Sequence, residues 1–150
     1  MEDWKVEERI MKDLIRILRE GNHSLVVFKN EITTYEGRGV SDLFRLLHQQ
    51  PEALEGASIA DKIVGKGAAA LIALGKVKAV YADIISEPAL KLLKQEGIRA
   101  TYGKLVPHII NRAGTGMCPV ETRCLPCNTP AECLVEIKKF LEEMKEKQKG

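Results

Sequence analysis

The chain has 150 residues, of which 45% are hydrophobic and 29% are charged, and its formal net charge at pH 7 is +2. This size and composition fit one globular domain over residues 1–150 and exclude wholesale disorder. With one Trp, three Tyr and three Phe and almost no net charge, the chain shows no basic, aromatic-rich stripe for nucleic acid. It has neither an apolar run of the roughly twenty residues that a membrane span needs nor a signal peptide. We therefore expect a cytoplasmic protein with no membrane partner.

The amino-terminal part predicts a helix followed by a β-hairpin. An apolar stripe at helical spacing indicates an amphipathic helix from about Glu2 to Glu20, within an amino-terminal segment 1–21. Two β-branched runs, 24–29 and 32–35, are separated by two residues and predict antiparallel strands. Ser41 is expected to cap a further helix that ends before Pro51.

The middle of the chain alternates between strand and helix patterns. The strands are predicted at 58–64, 78–85 and 98–102, and the helices at 65–75, 86–96 and 104–111. Strands joined by crossover helices run parallel. The run 68–74 is apolar all round, which predicts a helix covered on every side. The fold class is therefore α/β, a three-layer α/β/α sandwich in which an amino-terminal hairpin precedes parallel strands that alternate with helices.

The last third of the chain is predicted to be a loop and a helix. Residues 112–129 show no periodicity and contain several turn residues, which predicts a long cysteine-containing loop. Thr129-Pro130-Ala131-Glu132 combines a cap, a first-turn proline and a capping-box glutamate. A final helix is therefore expected over 130–150, with a frayed, charged tail.

Three segments carry a family resemblance: 61–70, then 80–82 through Ser86 to 97–98, and Cys118-Pro119-Val120-Glu121. Together with the element order they resemble an uncharacterised prokaryotic family, a domain of unknown function in the cytidine deaminase-like superfamily. The likeness spans about Asn22 to Glu121. It implies a cytidine deaminase-like fold and, because members of that superfamily commonly associate, a homo-oligomer.

The zinc chemistry of that superfamily is not expected here. A zinc deaminase needs His or Cys, then Ala, then Glu at the start of the buried helix, and Pro-Cys-x-x-Cys at the start of the next. This chain has Gly65-Lys66-Gly67 at the first position and Pro88-Ala89-Leu90-Lys91-Leu92 at the second. All three zinc ligands and the catalytic glutamate are missing, so we predict no deamination by that mechanism.

A ligand site is predicted where the buried helix begins. Free amides and the helix dipole attract anions at such a position, and Lys66 adds a positive charge. The predicted ligand is a small anion such as a metabolite or nucleotide, and the predicted ligand-binding residues are Asp61, Lys62, Gly65, Lys66 and Ser86. The segment from Cys118 to Glu121 would close the pocket as a lid, and these two residues are the catalytic candidates. Under this hypothesis Lys66→Met leaves stability nearly unchanged. Alternatively, the glycines permit close helix packing and Lys66 extends to water.

The four cysteines lie within sixteen residues, spaced C-x5-C-x2-C-x5-C. Cys118, Cys124, Cys127 and Cys133 are candidate metal ligands for zinc or an iron–sulfur cluster. The inner pair is alternatively a disulfide or redox pair, and all four are alternatively free thiols. Cys133 is in helical register with Ile137 and Leu141 and is expected in the core. The functional alternatives to ligand binding are therefore a metal or redox module and a non-catalytic regulatory or assembly domain.

Overall fold

The structure, a computed structural model, describes residues 3–37 and 39–149. It contains six α-helices and five strands within these ranges. The helices are α1 Asp3–Glu20, α2 Ser41–Gln49, α3 Lys66–Leu74, α4 Glu87–Gln95, α5 Pro119–Cys124 and α6 Pro130–Lys149, and a short 3-10 helix spans Pro51–Ala53. The strands are β1 Leu25–Phe28, β2 Ile32–Tyr35, β3 Ser58–Val64, β4 Ala79–Ser86 and β5 Arg99–Val106. The predicted first residue of α1, Glu2, and the end of the tail, Gly150, lie outside the described residues.

The five strands form one mixed sheet in the order β2-β1-β3-β4-β5. β1 is antiparallel to both β2 and β3, whereas β3, β4 and β5 run parallel to one another. The predicted hairpin and the predicted parallel strands are therefore confirmed. Because the three parallel strands share a direction, their carboxyl ends lie at the same edge of the sheet.

Helices cover both faces of the sheet. On one face, Leu14 and Leu18 of α1 pack against Val26, Ala60 and Tyr81. On the other face, the larger core contains buried residues of α2 to α6. In α3 the four residues 69–72 are 0% exposed, because the helix packs between α4 and α6. The predicted enclosure of the run 68–74 is confirmed for Ala68 to Ile72, which are buried, whereas Ala73 and Leu74 are half-buried. In the parts of the chain that the structure describes, no helix is both long and apolar enough to cross a membrane.

The predicted helix over 104–111 is wrong. β5 continues to Val106, and Lys104, Leu105 and Val106 pair with the end of β4. Pro107 explains the difference, because it disfavours a helical conformation at the preceding residue and cannot donate within a helix. The segment that follows β5 is a loop in which Ile110 bridges to Met117.

Three further predictions need correction. The loop predicted over 112–129 contains α5, which starts with proline at its first position, a feature typical of helix starts. Ser41 is the first residue of α2 rather than its cap, and Val40 holds the flanking position. The tail predicted to fray remains helical as far as Lys149.

Candidate functional site

A buried carboxylate, Glu121, lies where the buried helix α3 begins. Its side chain is 1% exposed. The backbone N–H of Lys66 donates to Oε1 at 2.6 Å, and the Ser86 hydroxyl donates to the same oxygen at 3.1 Å. The backbone N–H of Ile109 donates to Oε2 at 2.7 Å. The carboxylate of Glu121 thus binds the backbone N–H of Lys66, which was expected to bind an external anion. Glu121 fixes α5 to the rest of the protein and is not part of a lid.

The two glycines around Lys66 lie where α5 comes close to α3. A Cβ atom at Gly67 would be 2.3 Å from Cγ1 of Val120, a distance at which atoms overlap. A Cβ atom at Gly65 would be 3.1 Å from Cγ1 of Ile109. Close packing against α5 and the preceding loop therefore accounts for both glycines, as the alternative explanation expected.

The side chain of Lys66 crosses to the segment after α5. Its Nζ donates to the carbonyl oxygens of Leu125 at 2.9 Å and Cys127 at 2.6 Å. Carbonyl groups at the carboxyl end of a helix lack partners within the helix, and the helix dipole is negative there. A lysine ammonium therefore stabilises this end. Because an ammonium has three protons, one donor remains for another partner.

A cavity of about 280 Å³ lies beside Lys66. Its lining residues are Lys66, Pro88, Lys91, Leu92, Gln95, Leu125, Cys127 and Asn128. Among these described lining residues, the two lysines carry the formal charges. The cavity therefore has a positively charged, amide-bearing wall.

Asp61 and Lys62 lie away from this cavity. Asp61 is 8% exposed and accepts from the backbone N–H of Ile63 at 3.3 Å. Burial raises the pKa of the Asp61 carboxyl to about 7, and the nearby Asp42 and Asp83 carboxylates act in the same direction. Lys62 Nζ donates to Asn22 at 2.9 Å on the exposed surface. The structure does not bring these two residues together with Lys66.

Ser86, one of the predicted ligand-binding residues, is the N-cap of α4. Its hydroxyl accepts from the backbone N–H of Ala89 at 3.3 Å, so Ser86 caps α4. The same hydroxyl donates to Glu121, and the side chain is 0% exposed. Ser86 therefore holds the Glu121 carboxylate inside the protein and does not line the cavity.

Three of the four cysteines form a cluster, which we call the thiol cluster: Cys124, Cys127 and Cys133. The Cys124 thiol donates to the carbonyl oxygen of Cys133 at 4.0 Å, and the Cys127 thiol donates to the carbonyl oxygen of Arg123 at 3.7 Å. Cys124 and Cys133 are 0% exposed, whereas Cys127 is half-buried and lines the cavity. The prediction that Cys133 lies in the core is confirmed.

Burial and the nearby thiols shift the pKa values of the three cysteines in different directions. The neighbouring Cys124 thiol lowers the pKa of the Cys133 thiol to about 7, against the opposing effect of burial, and Cys127 and Lys66 lower it further. The pKa of Cys124 is raised because it donates to Cys133 and is buried. Burial, followed by the charge of Cys133, raises the pKa of Cys127 to about 11.

The predicted four-thiolate metal site is not formed. Cys118 precedes the first residue of α5 and Cys124 is its last, so helix geometry separates them by about 9 Å along the axis. Across residues 3–37 and 39–149, no group of three or more His, Cys, Asp or Glu side chains is arranged to hold a metal ion. A deaminase-type zinc would also find no ligands at the start of α3, where Lys66 and Gly67 lie.

Sequence reasoning missed several residues of the site. It did not assign Lys91, Gln95 or Asn128 to the cavity, because their positions depend on how α4 meets the segment after α5. It also missed the anchoring role of Glu121. The Cys-Pro-Val-Glu sequence could have revealed it, since proline followed by an acidic residue is typical of a helix start.

Comparison with known proteins places the chain in a family. No curated protein matches it. A solved structure that resembles it is a DUF1893 family protein, TM1506 from Thermotoga maritima, with a TM-score of 0.81 and 26% sequence identity. The similarity covers 87% of this chain and 89% of that one. The profile of the same family, TM1506, a domain of unknown function, matches residues 13–141. The chain therefore belongs to the DUF1893 family.

Proposed function

We propose that this protein binds a small anionic metabolite in the cavity beside Lys66. The cavity lies beyond the carboxyl ends of β3 and β4, since Lys66 and Pro88 each follow the end of one of these strands by two residues. Ligands of α/β sheets commonly bind at this edge. The observation that carries the proposal is the wall itself, whose charged groups are the ammonium groups of Lys66 and Lys91.

The wall offers donors suited to a phosphate or a carboxylate. Lys66 already gives two protons to carbonyl oxygens and has one left. Lys91 is exposed on α4 and adds a second positive charge, and the amide groups of Gln95 and Asn128 add neutral donors. A volume of about 280 Å³ suits a small phosphorylated or carboxylated compound.

We also propose a cytidine deaminase-like fold, a homo-oligomeric state and a cytoplasmic location for this protein. A hairpin beside three parallel strands, with helices on both faces, supports a cytidine deaminase-like three-layer sandwich. β5 is an outer strand of the sheet and its residues are mostly exposed, which supports association of copies into a homo-oligomer. The proposed location is the cytoplasm.

Calorimetric titration with inorganic phosphate and pyrophosphate tests the proposed binding. Lys91→Met is the informative variant, because Lys66 also holds the fold together. Lys94→Met is the matched control, since Lys94 is an exposed lysine of the same helix that does not line the cavity. We expect pyrophosphate binding to weaken about tenfold in Lys91→Met, equivalent to about 1.4 kcal/mol, and to stay within about twofold in Lys94→Met.

Two results would contradict the proposal. The first is the lack of saturable binding of either anion by the unmodified protein. The second is an equal loss of affinity in both variants, which would indicate attraction to overall charge rather than binding in the cavity.

A further inference from the structure

We infer that two copies of this chain associate through β5, whose outer edges pair antiparallel and join the two sheets into one continuous sheet. The inference names the interface of the proposed homo-oligomer and rests on that part of the proposed function. β5 is the last strand in the sheet order, and among the described residues it pairs with β4 alone. The N–H and C=O groups along its other edge can therefore bond to a strand from outside the chain.

The outer edge of β5 lacks the features that commonly keep an edge strand from pairing. Native proteins shorten such strands, place prolines or charges in them, or cover them. β5 has eight residues, which are mostly exposed, and its sequence contains neither proline nor an acidic residue. One of its two charged residues, Arg99, is bound by Glu7 at 2.9 Å, and the other is Lys104. Because side chains of a strand point to the faces of the sheet, Lys104 leaves the hydrogen-bonding edge open over a length of about 26 Å.

Two large apolar side chains of β5 are exposed. Tyr102 is 41% exposed and Leu105 is 38% exposed. A strand that pairs with β5 brings its own side chains beside both, and removal of apolar surface from water stabilises the association. Aromatic residues such as Tyr102 are enriched in protein interfaces. The edge therefore offers both unpaired backbone groups and apolar surface.

The lengths of the two sheet edges indicate which strand pairs with β5. The opposite edge of the sheet, β2, has four residues, whereas β5 has eight. Pairing of β5 with β2 of the next copy would leave half of β5 open and would continue into a filament. Pairing of β5 with an identical β5 about a twofold axis matches the two lengths and closes. The partner that fits this edge is a second copy of the chain.

The antiparallel arrangement keeps the two cavities of the dimer apart. β3, β4 and β5 share a direction, and the cavity lies beyond the carboxyl ends of β3 and β4. The twofold axis reverses this direction in the second copy, so the two cavities lie at opposite edges of the joined sheet. The described residues that line the cavity include none from β5. Dimer formation and binding in the cavity are therefore independent.

Sedimentation velocity of the full chain over a dilution series tests the interface. We expect the unmodified protein to have twice the 16.7 kDa mass of one chain at high concentration. Tyr102→Glu and Leu105→Glu each place a negative charge on β5, and the dissociation constant of the dimer should rise at least about tenfold in both. Circular dichroism checks that both variants fold.

Two matched controls place the same charge on exposed apolar residues elsewhere. Ile32→Glu changes β2, and Val135→Glu changes α6. Both variants should dimerise as the unmodified protein does, because neither residue lies on β5.

Hydrogen exchange followed by mass spectrometry tests the edge in the unmodified protein. Alternate residues of a strand direct their backbone groups to opposite edges, so half of the N–H groups of β5 should become protected in the dimer. We expect these groups in the peptide 99–106 to exchange at least about tenfold more slowly in the dimer than after dilution to the monomer. The peptide 32–35 of β2 should exchange at the same rate in both states.

The outcomes separate this inference from the rest of the proposed function. A dimer that persists unchanged in both β5 variants, or that leaves β5 unprotected, overturns this interface but not the homo-oligomer. Oligomers that grow with concentration and are broken by Ile32→Glu overturn it in favour of pairing between β5 and β2. An unmodified protein that stays monomeric overturns both the interface and the homo-oligomer. Tyr102→Glu should bind pyrophosphate as the unmodified protein does, and weakened binding would contradict the antiparallel arrangement.

Discussion

Replacement of Glu121 by glutamine should destabilise the protein strongly, although the two side chains have nearly the same shape. The carboxylate accepts the backbone N–H of Lys66 at one oxygen and that of Ile109 at the other. A glutamine amide has one acceptor oxygen and one donor NH2 group. In either orientation, one of the two backbone N–H groups therefore faces another donor.

The expected loss follows from these contacts. A hydrogen bond to a charged acceptor contributes about 1.5–3 kcal/mol, and a buried donor left without a partner costs about 1–3 kcal/mol. Because these terms overlap, we expect the free energy of unfolding to fall by about 2–4 kcal/mol. For a chain of this length, the melting temperature should fall by about 5–15 °C.

Urea unfolding followed by circular dichroism measures the effect. Glu142→Gln is the matched control, because Glu142 is exposed on α6 and its replacement should change stability by less than about 0.5 kcal/mol. A Glu121→Gln protein as stable as this control would refute the view that the carboxylate joins α3, β4 and the loop after β5.

Two further outcomes are expected. Lys66→Met should lower the free energy of unfolding by about 1–3 kcal/mol in the same assay, because it removes the bonds to Leu125 and Cys127. A Lys66→Met protein as stable as the unmodified one would instead support the prediction from sequence that this replacement leaves stability nearly unchanged. Asp61→Asn should gain stability relative to the unmodified protein as the pH rises from about 4 to about 7. The folded protein holds the proton of Asp61, with a pKa of about 7, whereas an unfolded chain releases it near the ordinary value of 3.8, so the unmodified protein loses stability over that interval. The gain should approach about 4 kcal/mol at most, and a difference independent of pH would contradict it.

The candidate site was predictable in part. Local signals predicted that Lys66 follows the end of a buried strand and that Ser86 lies at the start of the next helix. The grouping of Asp61 and Lys62 with Lys66 did not hold, because nearness in sequence does not determine which side chains share a surface. The partner of the Lys66 amide, Glu121, is 55 residues away along the chain.

Local physical chemistry determined most of the elements. Apolar spacing predicted α1, two neighbouring β-branched runs predicted the hairpin, and the all-apolar run predicted the buried helix α3. These signals act between residues a few positions apart, so the sequence carries them directly. The same applies to Cys133, whose register with Ile137 predicted its burial.

Only the tertiary structure decided what occupies the start of α3 and which thiols meet. The sequence placed an anion at the amide of Lys66, but the approach of α5 supplied that anion from Glu121 within the chain. The thiol cluster excludes Cys118 because α5 separates it from Cys124, although a site of all four cysteines was one of the alternatives that their spacing offered. Both outcomes depend on contacts between distant segments, which are set by the packing of whole helices and not by the residues next to them in sequence.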